Sequence, residues 1–356
     1  MNILYIAGES ANWVINLCNE MCNKGHDVTC VVQQLDEYDK DNPAVEHPNL
    51  KRINVNYDIM FNPEKMFETL EEQKKLYGYD IIFGSHAPVT PVLSHLSKIL
   101  EIPWGVMLLD IPTDLIMREE LRQKQWTYWF SIMKNANEVV FNTLVARDEF
   151  DRFMKKYYPD ENVVTYATKI PDEYKLSGLD IKGDYVVSAC RLTPVKNVSM
   201  ITKALALVDR PIKQMVVGRD RGDLATIQKV AEENNIQVIY KDMVSEKEKY
   251  ELIKNSLCLA YPQYTEYIGG LSPWEGMMIG KPTICSDFNV LKDLFKDKID
   301  YFNRNSAQEL ADKITEIYDK EYDEERLKKA SEYAYEDACF ETMAKKLINV
   351  FERMKK

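Results

Sequence analysis

Histidine is scarce in this 356-residue chain, and its cysteines follow no pattern. The four histidines (His26, His47, His86 and His95) show no zinc-ligand spacing, and the seven cysteines form no C-x-x-C pair. Cys18 and Cys22 stand i,i+4 on a predicted helix but have no histidine pair beside them, so no metal is expected there. Positive charge is short as well. Lysine and arginine total 46 against 57 acidic residues, a net charge of -11, which argues against nucleic acid as a partner. No run reaches the ~20 apolar residues a transmembrane segment needs. Met1 leads straight into an apolar strand with no basic segment or cleavage site, so no signal peptide is expected. With reduced, buried thiols, that points to a cytoplasmic protein. No G-x-G-x-x-G follows the first strand, which excludes the dinucleotide fingerprint of a dehydrogenase. There is no fixed-period repeat and no low-complexity tract.

What is present is α/β, in two series. Met1–Ile6 reads as a strand, Ala11–Asn23 as a helix closed by Gly25, and Val28–Val32 as the next strand. Such a βαβ unit implies a parallel sheet with right-handed crossovers. Further strands are expected at Arg52–Val55, Ile81–Gly84, Trp104–Leu108 and Glu138–Asn142, after a charged loop at Leu35–Asn42. The helix Arg118–Lys134 carries Trp126, Tyr128, Trp129 and Phe130, and its aromatic side is expected to pack on its own sheet rather than on a lipid or a partner. Tyr157–Gly183 lacks periodicity and reads as an interdomain linker. A second series follows, with strands at Tyr185–Ala189, Lys213–Val217, Val238–Tyr240, Leu257–Tyr261 and Thr283–Cys285. Its helices are Ser199–Val208, Asp223–Asn234 and Ser245–Asn255, the last capped by Ser245, and three more close the chain near 307–318, 324–335 and 339–355. The length suits two domains, 1–170 and 178–338, with the helix of about 339–356 packing back onto the first. Two such sheets create a cleft between their strand ends, where ligands of open α/β sheets bind.

The stretch YTEYIGGLSPWEGMMIGKP, Tyr264–Pro282, concentrates the chemistry. Glu266 precedes Gly269-Gly270, then Leu271, Ser272 as an N-cap, Pro273 at the first helical position, and Glu275 inside an apolar helix. Glycines before a helix N-terminus let an anion approach backbone N–H groups, while a carboxylate a few residues on could grip neighbouring hydroxyls. Phosphate plus diol describes a nucleotide sugar. Ser272-x-x-Glu275 is equally a capping box in which Glu275 serves only the helix. In CRLTPVKN, Arg191 and Lys196 offer a planar fork and a point charge from one loop, suited to a diphosphate, although a solvated loop carries such charges too.

Taken together these motifs resemble the retaining GT-B glycosyltransferases of family 4, the group 1 glycosyl transferases. Asn23-Lys24-Gly25-His26-Asp27-Val28 is similar to the family's K-x-G-H-x-V turn, and Arg191-Leu192…Lys196-Asn197 to its R-L-x-x-x-K-G. Met215-Val216-Val217-Gly218 is similar to its apolar strand ending in glycine, and Gly269-Gly270-Leu271…Glu275-Gly276-Met277…Gly280-Lys281-Pro282 to its F-G-L-x-x-x-E-A-M-x-x-G-x-P. The resemblance implies a fold of two Rossmann-like domains with a cleft between them, in which Arg191 and Lys196 hold the donor diphosphate. It also implies that Glu275 accepts the ribose hydroxyls, and that Glu266 with the backbone of Gly269, Gly270, Leu271 and Ser272 faces the donor sugar. Met243 and Val244 would lie by the base, and Gly8 would close over the phosphates. It implies no bound metal and no cofactor beyond the co-substrate, which agrees with cations supplied by the protein. Departures are the E-x8-E spacing of Glu266 and Glu275 where the family has E-x7-E, Asn197 for a glycine, and Asp110 where a family histidine is expected. His86, after YDIIFGS, sits near another family histidine position and could serve the sugar or acceptor, or be a loop histidine bonded to backbone.

The resulting expectation is a hexosyltransferase using a nucleoside diphosphate sugar, GDP-mannose ahead of UDP-glucose, with a glycan, glycoprotein or lipid-linked acceptor. The absence of an anchor leaves room for a weak peripheral membrane contact and for a homodimer. Two rivals are a nucleotide-sugar binding subunit without turnover and a two-domain sugar-nucleotide epimerase.

Overall fold

A computed structural model describes residues 1–8, 11–33, 45–109, 119–181, 183–264, 269–319 and 322–356. The chain divides into two compact units, Met1–Tyr166 with Phe340–Lys356, and Ala167–Cys339.

The first unit is built on six parallel strands: β1 (Asn2–Ala7), β2 (Asp27–Gln33), β3 (Leu50–Val55), β4 (Ile81–Ser85), β5 (Trp104–Leu108) and β6 (Glu138–Phe141), in the order β3-β2-β1-β4-β5-β6. β1 and β4 are almost wholly apolar and buried, as strands covered on both faces must be. Among the described helices are α1 (Ala11–Asn23), α2 (Tyr57–Met60), α3 (Pro63–Glu72), α4 (Thr90–Leu100), α5 (Glu120–Met133) and α6 (Leu144–Met154). Gly25 closes α1 at φ 85°, a conformation that favours glycine. The aromatic side of α5 packs on the rings of the neighbouring helix. Phe130 packs against Phe150 and Phe153 of α6, and Trp126 against Trp129 and Phe130, because bulky rings on one helix fill the groove beside a neighbouring helix. Tyr128 remains 56% exposed.

The second unit repeats the plan with β7 (Tyr185–Ala189), β8 (Lys213–Val217), β9 (Val238–Lys241), β10 (Cys258–Tyr261), β11 (Thr283–Ser286) and β12 (Asp300–Phe302) in the order β12-β11-β10-β7-β8-β9. Read from β9, this is the doubly wound order of the first sheet, so both units are Rossmann-like. Its helices are α7 (Ser199–Leu205), α8 (Leu224–Asn234), α9 (Glu246–Lys254), α10 (Leu271–Ile279), α11 (Asn289–Phe295), α12 (Ala307–Asp319) and α13 (Glu324–Asp337). α11 and β12 fall where the sequence reading assigns no element, since both are short and α11 has no side-chain cap to announce it. α14 (Phe340–Met354) returns to the first unit and buries Met343, Leu347, Val350, Phe351 and Met354 along one stripe, with Phe351 against Phe83.

Tyr157–Gly183 is not a free linker. Tyr158, Val164, Ala167, Ile170 and Tyr174 are buried, Val164 N–H donates to the Phe141 carbonyl (2.8 Å), and Thr168 N–H donates to Ala338 (2.8 Å). The segment makes isolated bonds, one of them to the end of β6, rather than a ladder, so it leaves no period in the sequence.

Lys281, in the Gly280-Lys281-Pro282 turn, is 1% exposed, and its ammonium donates to the Asp180 carbonyl at 3.0 Å. Burial lowers its pKa to about 8. The unfolded chain therefore binds this proton between about pH 8 and 10.5 while the native one does not, so stability rises with pH across that window. Below it the full penalty is present. Lys281→Met is expected to stabilise the protein at pH 7 by roughly 1–2 kcal/mol once the lost hydrogen bond is discounted. Urea titrations at pH 7 and pH 10 check this, and a gain that fails to shrink at high pH refutes it.

Candidate functional site

In a doubly wound sheet, ligands bind beyond the carboxyl ends of the strands where the strand order reverses. In the second sheet that point lies between β7 and β10. Cys190 and Arg191 follow β7, and a one-turn 3-10 helix, Pro194–Lys196, presents Lys196. Two hydrogen bonds stitch this loop to the one after β8: Leu192 N–H to Arg219 (2.9 Å) and Arg221 N–H to Leu192 (2.8 Å). Asn197 stands at φ 51°, a left-handed residue that asparagine tolerates better than most, which accounts for its replacing the family glycine.

The Lys196 ammonium donates to the Gln263 side-chain carbonyl at 2.6 Å and to the Tyr261 hydroxyl, and lies 4.8 Å from the Tyr261 ring centre. The Tyr261 hydroxyl in turn donates to Gln263 at 2.7 Å. Tyr261 and Gln263 are buried, and burial holds the tyrosine pKa well above its ordinary value, so the hydroxyl stays a donor. Tyr264 N–H donates to the Val195 carbonyl (2.7 Å), which joins the loop after β10 to the loop after β7. Neither Tyr261 nor Gln263 is a site residue in the sequence reading. The available signal was a tyrosine at a strand end, followed within two residues by a glutamine. Arg191 is exposed and makes no ion pair among the described residues.

The glycines have a packing reason that the sequence reading did not give. A Cβ on Gly269 would lie 2.2 Å from Leu294 Cδ1, and one on Gly270 would lie 2.3 Å from the Tyr261 oxygen. The protein's own packing thus requires bare backbone here. Gly270 is the N-cap of α10, with no side-chain cap. Ser272 is not the cap and Pro273 is not the first helical residue, because α10 starts two residues earlier, at Leu271. The Ser272 hydroxyl instead donates to the Ala189 carbonyl, binding the helix to the end of β7. Proline has no N–H, so Leu271 and Ser272 carry the first-turn N–H groups that lack an intrahelical acceptor.

Gly270→Ala is expected to lower stability by about 1–3 kcal/mol, the usual range for overpacking. It should also dislodge Tyr261 and with it Lys196. Adding Tyr261→Phe removes the clashing oxygen and should recover much of the melting temperature; simply additive losses would refute the steric reading.

The capping-box reading of Glu275 fails. Its Oε1 accepts from Lys249 Nζ at 2.9 Å and from Thr168 Oγ1 at 3.5 Å, and the residue is 3% exposed. Lys249 arrives on α9, whose N-cap Ser245 accepts from Glu248 N–H as expected. Met243 and Val244 lie between β9 and α9, Met243 exposed and Val244 half-buried. In the first sheet the corresponding point lies between β1 and β4. Gly8 follows β1, and a Cβ there would meet the Phe61 ring at 3.0 Å. His86 follows β4 at φ 83°, ψ 132°, a conformation costly for a non-glycine residue, with its N–H donating to Met107 (2.9 Å). Glu266 and Asp110 lie outside the described residues.

No group of three or more His, Cys, Asp or Glu residues suited to a metal occurs among the described residues, and none of their helices is long and apolar enough to cross a membrane.

Residues 171–337 match the family model of glycosyl transferases group 1. No curated protein sequence matches the chain. Solved structures do. Anabaena HepE in complex with UDP is 16% identical, with TM-score 0.76, covering 99% of this chain and 100% of that one. Sucrose-phosphate synthase from Thermosynechococcus elongatus is 17% identical, with TM-score 0.77 and 99% of both chains covered. TarM is 13% identical, with TM-score 0.74 and 98% of both covered. The fold is therefore GT-B, two Rossmann-like domains. With residues 171–337 matching the group 1 glycosyl transferase model and set in that fold, the comparisons support a glycosyltransferase enzyme.

Proposed function

We propose that the chain is a retaining family 4 glycosyltransferase that moves a hexose from a nucleoside diphosphate sugar to a hydroxyl of a glycan, glycoprotein or lipid-linked acceptor. The observation that supports this most is the Lys196–Tyr261–Gln263 cluster at the β7/β10 switch point, one loop away from the helix carrying buried Glu275. In this reading Lys196 and Arg191 hold the diphosphate, and Glu275 accepts the ribose hydroxyls. The backbone around Gly269, Gly270, Leu271 and Ser272 faces the donor together with Glu266, while Met243 and Val244 lie by the base. Gly8 closes over the phosphates, and His86, with Asp110, serves the sugar or the acceptor.

The bond from the anomeric carbon to the diphosphate breaks as the acceptor oxygen bonds to the same face of that carbon. The acceptor proton passes to the leaving diphosphate oxygen. The protein contributes orientation and charge stabilisation, and its cations take the part a divalent ion would otherwise play.

HepE has been crystallised with UDP-glucose, which makes that donor the first to assay, alongside GDP-mannose. Purified protein should slowly release free hexose from the true donor, and NMR of the nascent sugar should show the donor's anomeric configuration. Inverted product overturns retention. Release of no hexose across a donor panel favours a binding subunit, and an isomerised sugar nucleotide formed without acceptor favours an epimerase.

A further inference from the structure

Glu275 is buried, yet its two oxygens are treated unequally. Oε1 accepts from Lys249 Nζ at 2.9 Å and, at 3.5 Å, from Thr168 Oγ1, whereas no hydrogen bond engages Oε2 among the described residues. A carboxylate has about four lone-pair sites, so a buried one with a single oxygen engaged retains unused acceptor capacity, which is costly unless a ligand or water takes it. The Lys249 side chain is 18% exposed and that of Glu275 4%, so this pair is strongly desolvated and its geometry is not that of a fluctuating surface bridge. Lys249 also lies within 3.4 Å of Glu246 Oε1 on its own helix, which fixes the ammonium from a second side.

We propose that Lys249 is a positioning residue for Glu275: by holding Oε1 it turns the carboxylate so that Oε2 faces the ribose diol of the donor nucleotide. The proposal rests on the reading of Glu275 as the ribose acceptor. Through α9, it also ties the loop at Met243–Val244 to the ribose acceptor, because that loop leads directly into the helix carrying Lys249. Nothing in the sequence pattern pairs positions 249 and 275; the contact exists because α9 and α10 pack side by side.

The test is calorimetry with UDP and GDP and their 2′,3′-dideoxy counterparts. For whichever nucleotide binds, the wild type should prefer the ribose form by tenfold or more. Lys249→Met should weaken binding of the ribose form about tenfold while weakening the dideoxy form much less, so that the preference collapses. Lys249→Arg should restore it. Because Lys249→Met leaves a buried carboxylate unpaired and could unfold the domain, Lys249→Met/Glu275→Gln is melted beside it and is expected to recover stability. Equal weakening of both nucleotide forms by Lys249→Met, or none, overturns the positioning role. A wild type without ribose preference, or one whose preference survives Glu275→Gln, overturns the underlying reading of Glu275 instead.

Discussion

Lys196→Ala is expected to reduce turnover roughly a hundred- to a thousand-fold, the loss typical of removing one preorganised group from developing charge. The melting temperature should hardly move. The reason lies in how the lysine is seated. Its ammonium rests on Tyr261 and Gln263, which are buried and bonded to each other at 2.7 Å independently of it. Removing the lysine therefore leaves that pair satisfied and takes away only the positive charge beyond the end of β10. In the proposed reading Arg191, exposed on the same loop, would neutralise only part of the diphosphate and would not replace Lys196. Initial rates with the identified donor, together with a thermal melt of the same sample, test this directly. Near-normal turnover in a folded Lys196→Ala protein would exclude the lysine from the reaction.

Glu275→Ala should weaken nucleotide binding by about ten- to a hundred-fold, since a hydrogen bond to a charged group is worth about 1.5–3 kcal/mol and each 1.4 kcal/mol is tenfold. It should also lower the melting temperature, because Lys249 loses a partner in a largely buried position. The two effects separate by readout. If calorimetry gives an unchanged affinity for the nucleotide while the melt falls, Glu275 is only the counter-ion of Lys249, and the ribose role is excluded.

Much of the architecture was legible in the chain. α1 begins and ends where the pattern and Gly25 place it, Trp104–Leu108, Tyr185–Ala189 and Lys213–Val217 are strands as read, and Ser245 caps its helix. These signals are local: a period, a cap, a residue that accepts positive φ. The GT-B class followed from them together with motif resemblance, and the structural likenesses bear it out. Ser272 shows where such reading stops. It has the right type for an N-cap and sits two residues from where one is needed, but its hydroxyl bonds to Ala189, 83 residues earlier.

By itself, then, the sequence determined which segments become strands and helices, and which loops carry cations, glycines and carboxylates. Only the tertiary structure decided that Lys196 rests on Tyr261 and Gln263, that Gly270 makes room for a tyrosine oxygen, and that Glu275 answers to Lys249. Backbone preference acts over a few residues and is written in residue type. The partner of a buried polar side chain is set by which strands and helices lie side by side, and no short window of sequence contains that information.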